Sequence, residues 1–238
     1  MRLDAAVAEA GLARSRGEAQ ALIMAGKIRV GGETVRRPDR EVRPGQAVEL
    51  APLAPYVSRG GEKLAPVLDA FGVQVEGRTC ADVGASTGGF TDVLLRRGAA
   101  RVFAVDVGRG LLDWRLRQDP RVVPMERVNA RSLRRFPEPV SLVVVDVSFI
   151  GLATVLPALR EAAPGAEFVV LFKPQFEVER SSVGRGGVVR DTEAVRQAVE
   201  RFRLWCGDHG FAVLDQMPSP LPGASGNQEL FLHLEAVP

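Results

Sequence analysis

"CADVGASTGGFTDVLL", residues 80–95, is the stretch on which the fold turns. An apolar run reaches an acidic residue, Asp82. A turn carrying Gly84 and Gly88 follows, and a helical pattern opens near Gly89. Glycine lets the backbone turn tightly and approach a ligand with no Cβ in the way. A helix N-terminus adds unsatisfied N–H groups and the positive end of a dipole. Strand, glycine turn and helix in this order make the nucleotide corner of a doubly wound sheet. Asp106 closes the next apolar run, 18 residues after Gly88, where a carboxylate accepts hydrogen bonds from ribose hydroxyls.

Two details favour S-adenosylmethionine over NAD. The glycine spacing is G-x-x-x-G-G rather than G-x-G-x-x-G, and Asp82 precedes the turn, where it faces an ammonium better than a pyrophosphate. The absence of Gly-Lys-Ser/Thr excludes a Walker-type phosphate loop.

Outward from this corner, apolar runs alternate with helical patterns. "TCADVG", "ARVFAVDV", "RVVPM", "VSLVVVDV", "EFVVLFK", "FAVLDQM" and "ELFLHLEA" read as strands. Helices are expected over 62–71, 89–97, 152–163 and 191–207, the last capped by Asp191. "PSPLPGASGNQ" is too irregular for a crossover helix, so the last two strands are expected to pair antiparallel at one end of the sheet. "SSVGRGGVV", 181–189, is expected as a mobile glycine-rich loop. The fold class is α/β: a Rossmann-like, S-adenosylmethionine-dependent methyltransferase sheet with a small N-terminal α+β RNA-binding domain.

That N-terminal segment reads as two short helices and a small β-structure. Leu3, Val7 and Ala10 recur at helical spacing before Gly11. Ser15 and Glu18 form a capping-box pattern for a second helix, which Gly26 stops. "KIRVGGETV" is a hairpin signal around Gly31-Gly32. With the basic residues Arg14, Arg16, Lys27, Arg29, Arg36 and Arg37, "RLDAAVAEAGLARSRGEAQALIMAGKIRVGGETV" resembles the ribosomal S-four-type RNA-binding domain. A helix–turn–helix DNA reader fits less well, because the hairpin follows the helices at once. The domains are expected at 1–55 and 63–238, joined by a linker at 56–62 in which glycines supply backbone freedom and Arg59 meets phosphate.

Charge supports a polyanion partner near the N-terminus. Met1 to Lys63 holds 11 Lys and Arg against 8 Asp and Glu, while the remainder holds 20 against 21. No apolar run of 18 residues or more suggests a membrane span, and no secretory signal opens the chain, so a cytoplasmic protein is expected. Cys80 and Cys206 form no metal-ligand spacing, and no metal is expected.

Four charged residues stand at strand ends or the domain joint: Lys63, Asp146, Lys173 and Glu229. Two lysines and two carboxylates suit methyl transfer to a hydroxyl, which needs a general base. A lysine acts as base only as the free amine, a form that burial and a neighbouring ammonium favour. "DVSF" lacks the prolines of nitrogen-methylating enzymes, and neither cysteine follows a strand end where a carbon-methylating nucleophile would stand.

The arrangement resembles the FtsJ-like ribose 2′-O-methyltransferases, whose catalytic set runs Lys, Asp, Lys, Glu. More closely, "SRGGEKL", "DVGASTGGFTDVLL", "AVDVG", "ERVNAR", "DVSFI", "LFKPQFE", "VGRGGVVRD" and "GNQELFL" resemble the TlyA (haemolysin A) family of bacterial rRNA methyltransferases. The resemblance implies that Lys63, Asp146, Lys173 and Glu229 are catalytic. It implies that Asp82, Gly84, Ser86, Gly88, Phe90, Asp106 and Asn129 line an S-adenosylmethionine site, Asn129 near the adenine. It further implies ribosomal RNA or ribosomal subunits as partner and a cytidine 2′-hydroxyl as acceptor. Two rival readings are a cytolytic protein, which the family's older name invites, and a non-catalytic RNA-binding or assembly factor.

Overall fold

The computed structural model describes residues 1–51 and 55–237. The chain divides into two compact units, Met1–Ala54 and Pro55–Pro238.

In the first unit, α1 (Leu3–Glu9) and α2 (Arg16–Met24) precede three short strands, β1 (Ile28–Val30), β2 (Glu33–Val35) and β3 (Val48–Leu50). The strands form an antiparallel sheet in the order β2-β1-β3. Ser15 caps α2 as expected, its Oγ accepting from Glu18 N at 3.1 Å, while the return bond falls one residue earlier than in a capping box, the Glu18 carboxylate accepting from Arg14 N at 2.7 Å. Gly31 and Gly32 both have positive φ, +59° and +84°, the requirement of a two-residue hairpin turn. Leu3, Val7, Ala19, Ile23, Ile28 and Val30 make the core.

The second unit opens with α3 (Arg59–Ala70) and continues β4 (Thr79–Val83), α4 (Gly89–Arg96), β5 (Arg101–Asp106), α5 (Trp114–Arg117), β6 (Val122–Glu126) and β7 (Leu142–Val145). Then come α6 (Leu152–Ala162), β8 (Glu167–Phe172), α7 (Pro174–Glu177), α8 (Thr192–Asp208), β9 (Phe211–Pro218) and β10 (Leu230–Ala236). The sheet order is β6-β5-β4-β7-β8-β10-β9. All neighbours are parallel except β10, which runs antiparallel to both β8 and β9, as the irregular connection required.

Side chains alternate between two apolar layers, so the parallel strands are buried on both faces. Val143 and Val145 of β7 pack with α6 and α8, whereas Leu142 and Val144 pack with α3 and α4. Asp191 caps α8, its Oδ1 accepting from Glu193 N and Ala194 N at 3.0 Å each.

Two expectations need correcting. Helix α3 begins at Arg59, not 62, so part of the segment expected as linker is helical. Gly60 and Gly61 lie in its first turn without positive φ; they serve close packing rather than backbone freedom. A Cβ on Gly61 would overlap the Tyr56 ring, and one on Gly89, opening α4, would stand 2.9 Å from Gly61 N. The loop at 181–189 is also more built than expected. It holds two 3₁₀ turns, and the buried Asn227 side chain accepts from Val189 N at 2.8 Å and donates to Gly187 O at 2.7 Å.

Candidate active site

Strand order reverses at β4: β5 and β6 extend to one side of it, β7 and β8 to the other. Open α/β sheets place their ligand crevice at such a point, beyond the carboxyl ends of the strands. Two chambers of about 360 Å³ each lie there and share Gly84, Ser86 and Asp146.

The first chamber includes Arg59, Gly60, Lys63, Asp82, Gly84, Gly89 and Phe90. Asp82 is fully buried. Its Oδ2 accepts from Thr91 N at 2.8 Å and Thr91 Oγ1 at 2.6 Å, while Oδ1 has no hydrogen-bond partner among the described residues. Burial pushes this carboxyl up to about 7 from an ordinary 3.8. An orphaned buried oxygen in a chamber wall asks for a donor from a ligand. Gly84 has φ +88°, and a Cβ there would overlap the Asp146 carbonyl oxygen. Gly88 has φ +93°, and a Cβ would strike Leu116 and Leu112. Gly84 is therefore required by conformation and by space together, and Gly88 by its conformation.

The second chamber is lined by Val105, Asp106, Val128, Asn129, Val147 and Phe149, among others. Asp106 accepts from Ser86 N at 2.8 Å and Gly108 N at 2.7 Å, and so shapes the glycine turn from the next strand. Ser86 adopts a left-handed φ of +48°. Asn129 caps a 3₁₀ turn, its Oδ1 accepting from Arg131 N at 3.1 Å. All seven residues expected around the cofactor lie at the corner; Gly88 is buried in it, and the other six face one or both chambers.

The four dispersed charges condense into two pairs. Lys63 Nζ donates to Glu229 Oε2 at 2.6 Å, joining α3 to the start of β10. Lys173 Nζ lies 2.6 Å from Asp146 Oδ1 and donates to Ser148 Oγ at 2.9 Å, joining the ends of β8 and β7. Lys63, Lys173 and Glu229 are buried, and Asp146 lines both chambers. Burying a charge is costly unless it is paired, and each ammonium here has its carboxylate.

Sequence reasoning missed Ser148, Thr91, Asn227 and Glu177. Glu177 Oε1 accepts from Leu152 N at 2.7 Å, capping α6, and burial raises its carboxyl to about 7. Only Ser148 carried a usable signal, its place two residues beyond Asp146.

The residues expected to bind RNA are less uniform. Arg16 is bonded to the buried Asp4 at 3.1 Å, and Arg36 donates to Met24 O at 3.4 Å while covering Gly26. Arg29 is half-buried. Arg14 and Lys27 are exposed, their side chains without a hydrogen-bond partner among the described residues. Arg59 stands on the first chamber and donates to Pro222 O at 3.1 Å. No helix among the described residues is long and apolar enough to cross a membrane.

This sheet is that of the S-adenosylmethionine-dependent methyltransferases. A Listeria monocytogenes protein described as one aligns with a TM-score of 0.56 at 12% identity, covering 76% of this chain and 100% of that one. The FtsJ-like methyltransferase family profile matches residues 56–236, and the S4 domain profile matches 1–48. A Mycobacterium tuberculosis protein named 16S/23S rRNA (cytidine-2′-O)-methyltransferase TlyA is 50% identical over 98% of this chain and 89% of its own length. A Streptococcus thermophilus structure described as a hemolysin superimposes with a TM-score of 0.78 at 40% identity, over 100% of this chain and 88% of that chain. The chain belongs to the FtsJ-like methyltransferases, and within them to the TlyA family.

The corner fits S-adenosylmethionine. The orphaned Asp82 oxygen suits an ammonium, the glycine turn leaves room for the ligand, and the apolar second chamber with Asp106 and Asn129 suits a nucleoside.

Proposed function

We propose that this protein methylates the ribose 2′-hydroxyl of a cytidine in ribosomal RNA. The observation that carries the reading is the condensation of Lys63, Asp146, Lys173 and Glu229 into two ion pairs beside the glycine turn. S-adenosylmethionine, when bound, supplies a methyl group on sulfonium; the new O–CH₃ bond forms as the S–CH₃ bond breaks and its electron pair stays on sulfur.

The chain's own residues do the rest. Asp82, Gly84, Ser86, Gly88 and Phe90 hold the donor's amino-acid end, and Asp106 and Asn129 hold its nucleoside end. The N-terminal unit docks structured RNA through phosphate contacts and shape, with Arg14, Lys27, Arg29, Arg16 and Arg36 on that unit and Arg59 beside the cleft. The target nucleotide leaves its stack to reach the buried chemistry. Lys173 takes the 2′-hydroxyl proton, and Lys63, fixed by Glu229, orients the ribose. Asp146 keeps Lys173 in place.

The test is mass-spectrometric mapping of ribose methylation on rRNA from cells with and without the protein, and with a Lys173→Ala variant. A cytidine methylation present with wild type and lost by about a hundredfold or more in the variant is expected. A variant that retains near-full transfer overturns the role given to Lys173; rRNA whose methylation does not depend on the protein overturns the function itself.

A further inference from the structure

The segment between α7 and α8 carries three arginines, Arg180, Arg185 and Arg190, all exposed and without an ion-pair or side-chain hydrogen-bond partner among the described residues. Elsewhere on this unit a surface guanidinium is often neutralised: Arg97, Arg115, Arg121 and Arg196 each have a carboxylate oxygen within 3.0 Å. Of the two acidic residues that flank the three arginines in sequence, Asp191 caps α8 and Glu179 is exposed.

Unpaired arginines on a loose loop are ordinary solvated charge. This loop is fastened. Gly184 N donates to Val188 O at 2.9 Å and Gly187 N donates to Gly184 O at 3.1 Å, closing a turn around Arg185 in which Gly186 and Gly187 have φ of +75° and +77°. Asn227, 3% exposed, spends both ends of its amide on the same backbone, accepting from Val189 N and donating to Gly187 O. A buried amide matched at both ends is cheap to bury and holds what it joins.

The other side of the clasp is the wall of the first chamber. Asn227 O accepts from Gly223 N at 2.9 Å within the connection between β9 and β10. Gly223 lies so close to the Glu229 carboxylate that a Cβ on it would fall 2.4 Å from Oε1. Ala224 lines the chamber, and Arg59 donates to Pro222 O. One side chain thus ties the arginine-bearing loop to the wall beside Lys63 and Glu229.

We propose that this clasped loop is a second RNA-contacting surface, in which Arg180, Arg185 and Arg190 grip phosphates of the strand whose nucleotide enters the first chamber. It deepens, and rests on, the reading of the chain as an RNA methyltransferase. Guanidinium N–H groups match phosphate oxygens in pairs, and phosphate contacts set position without reading sequence. A ribose 2′-hydroxyl stands beside its own backbone phosphates, so holding those phosphates holds the reacting oxygen. A loop already fixed by Asn227 has little ordering left to lose when RNA arrives.

The test uses the full chain with Arg180, Arg185 and Arg190 changed together to Gln, the same three changed to Lys, and Asn227→Ala. Filter binding to protein-free rRNA across salt, single-turnover methylation, calorimetry with the donor and thermal melts are measured on each. The Gln variant should raise half-saturating RNA about tenfold and flatten the salt slope by about two, with donor affinity within about twofold and an unshifted melt. The Lys variant should recover most of the slope. Asn227→Ala should lose RNA affinity with all three arginines present, and trypsin should cut its loop faster than that of wild type; if it melts early, the arginine variants decide the matter. Unchanged half-saturation and slope in the Gln variant overturn the proposal. A loss seen with ribosomal subunits but not with protein-free rRNA also overturns it and assigns the loop to a ribosomal protein. A wild-type chain that neither binds nor methylates rRNA is a different result, which removes the proposed function and this surface with it.

Discussion

Asp82 carries the most exacting chemistry of any single residue in the corner. It is fully buried, one oxygen satisfied by Thr91 and the other by nothing among the described residues. Burial raises its carboxyl from 3.8 to about 7, so below neutrality the empty site holds a proton there. An ammonium partner needs the ionised form. Donor affinity should therefore fall as pH drops below about 7, approaching tenfold per unit, with a proton released on binding. Calorimetry across pH in buffers of different ionisation enthalpy measures both, and Asp82→Asn should bind weakly with a flattened pH profile.

Stability runs the other way. Because the folded state holds this proton more tightly than the unfolded chain, the contribution of Asp82 is full below about 4 and fades as pH rises through 7. Denaturant melts of wild type and Asp82→Asn at pH 4.5 and 8 should differ in that sense. The sequence showed Asp82 before a glycine turn, but not Thr91 beneath it, because a hydroxyl one turn into a helix is an ordinary residue until the strand end points at it.

At the scale of elements, α3 and α4 cross through glycines. Gly61 is buried against Tyr56, and Gly89 lies against Gly61 and Ser58. Tyr56 is further held under Arg96, whose guanidinium sits 5.0 Å from the ring centroid, and Val57 N donates to Asp92 at 2.9 Å. Gly61→Ala should therefore cost about 1–3 kcal/mol in thermal or denaturant melts. Gly207, inside α8 with open space around its missing Cβ, should respond oppositely, with Gly207→Ala stabilising by about 0.5–1 kcal/mol. A flexible-linker role for Gly61 predicts no stability change, which the same melts detect.

Strands of the second unit were legible because parallel strands buried on both faces leave long apolar runs, as in "LVVV" of β7. The short α5 and α7 were not, since four residues cannot display a helical period. The start of α3 was misplaced because "SRGG" looks like a joint, and only the packing of α4 against it explains why glycine stands there.

For the molecule as a whole, charge and folding divide along the same line. Each unit has its own apolar core, and the excess of basic residues lies toward the N-terminus. RNA binding should weaken roughly ten- to a hundredfold between about 50 and 200 mM salt, with a slope that falls when Arg14 and Lys27 are neutralised together. A chain lacking residues 1–54 should keep donor affinity within about twofold while losing most of its rRNA methylation; filter binding and calorimetry separate the two. The four charged residues were legible one by one, Asp146, Lys173 and Glu229 at strand ends and Lys63 at the domain joint, but their pairing was not. Lys63 and Glu229 are 166 residues apart, and only the insertion of β10 between β8 and β9 brings them together.

That insertion sets a timetable. β10 follows every other described strand in the chain, and it is the strand that seats β9 on the sheet and delivers Glu229 to Lys63. Until synthesis reaches it, the buried Lys63 of α3 lacks its Glu229 counterion and the sheet stops at β8.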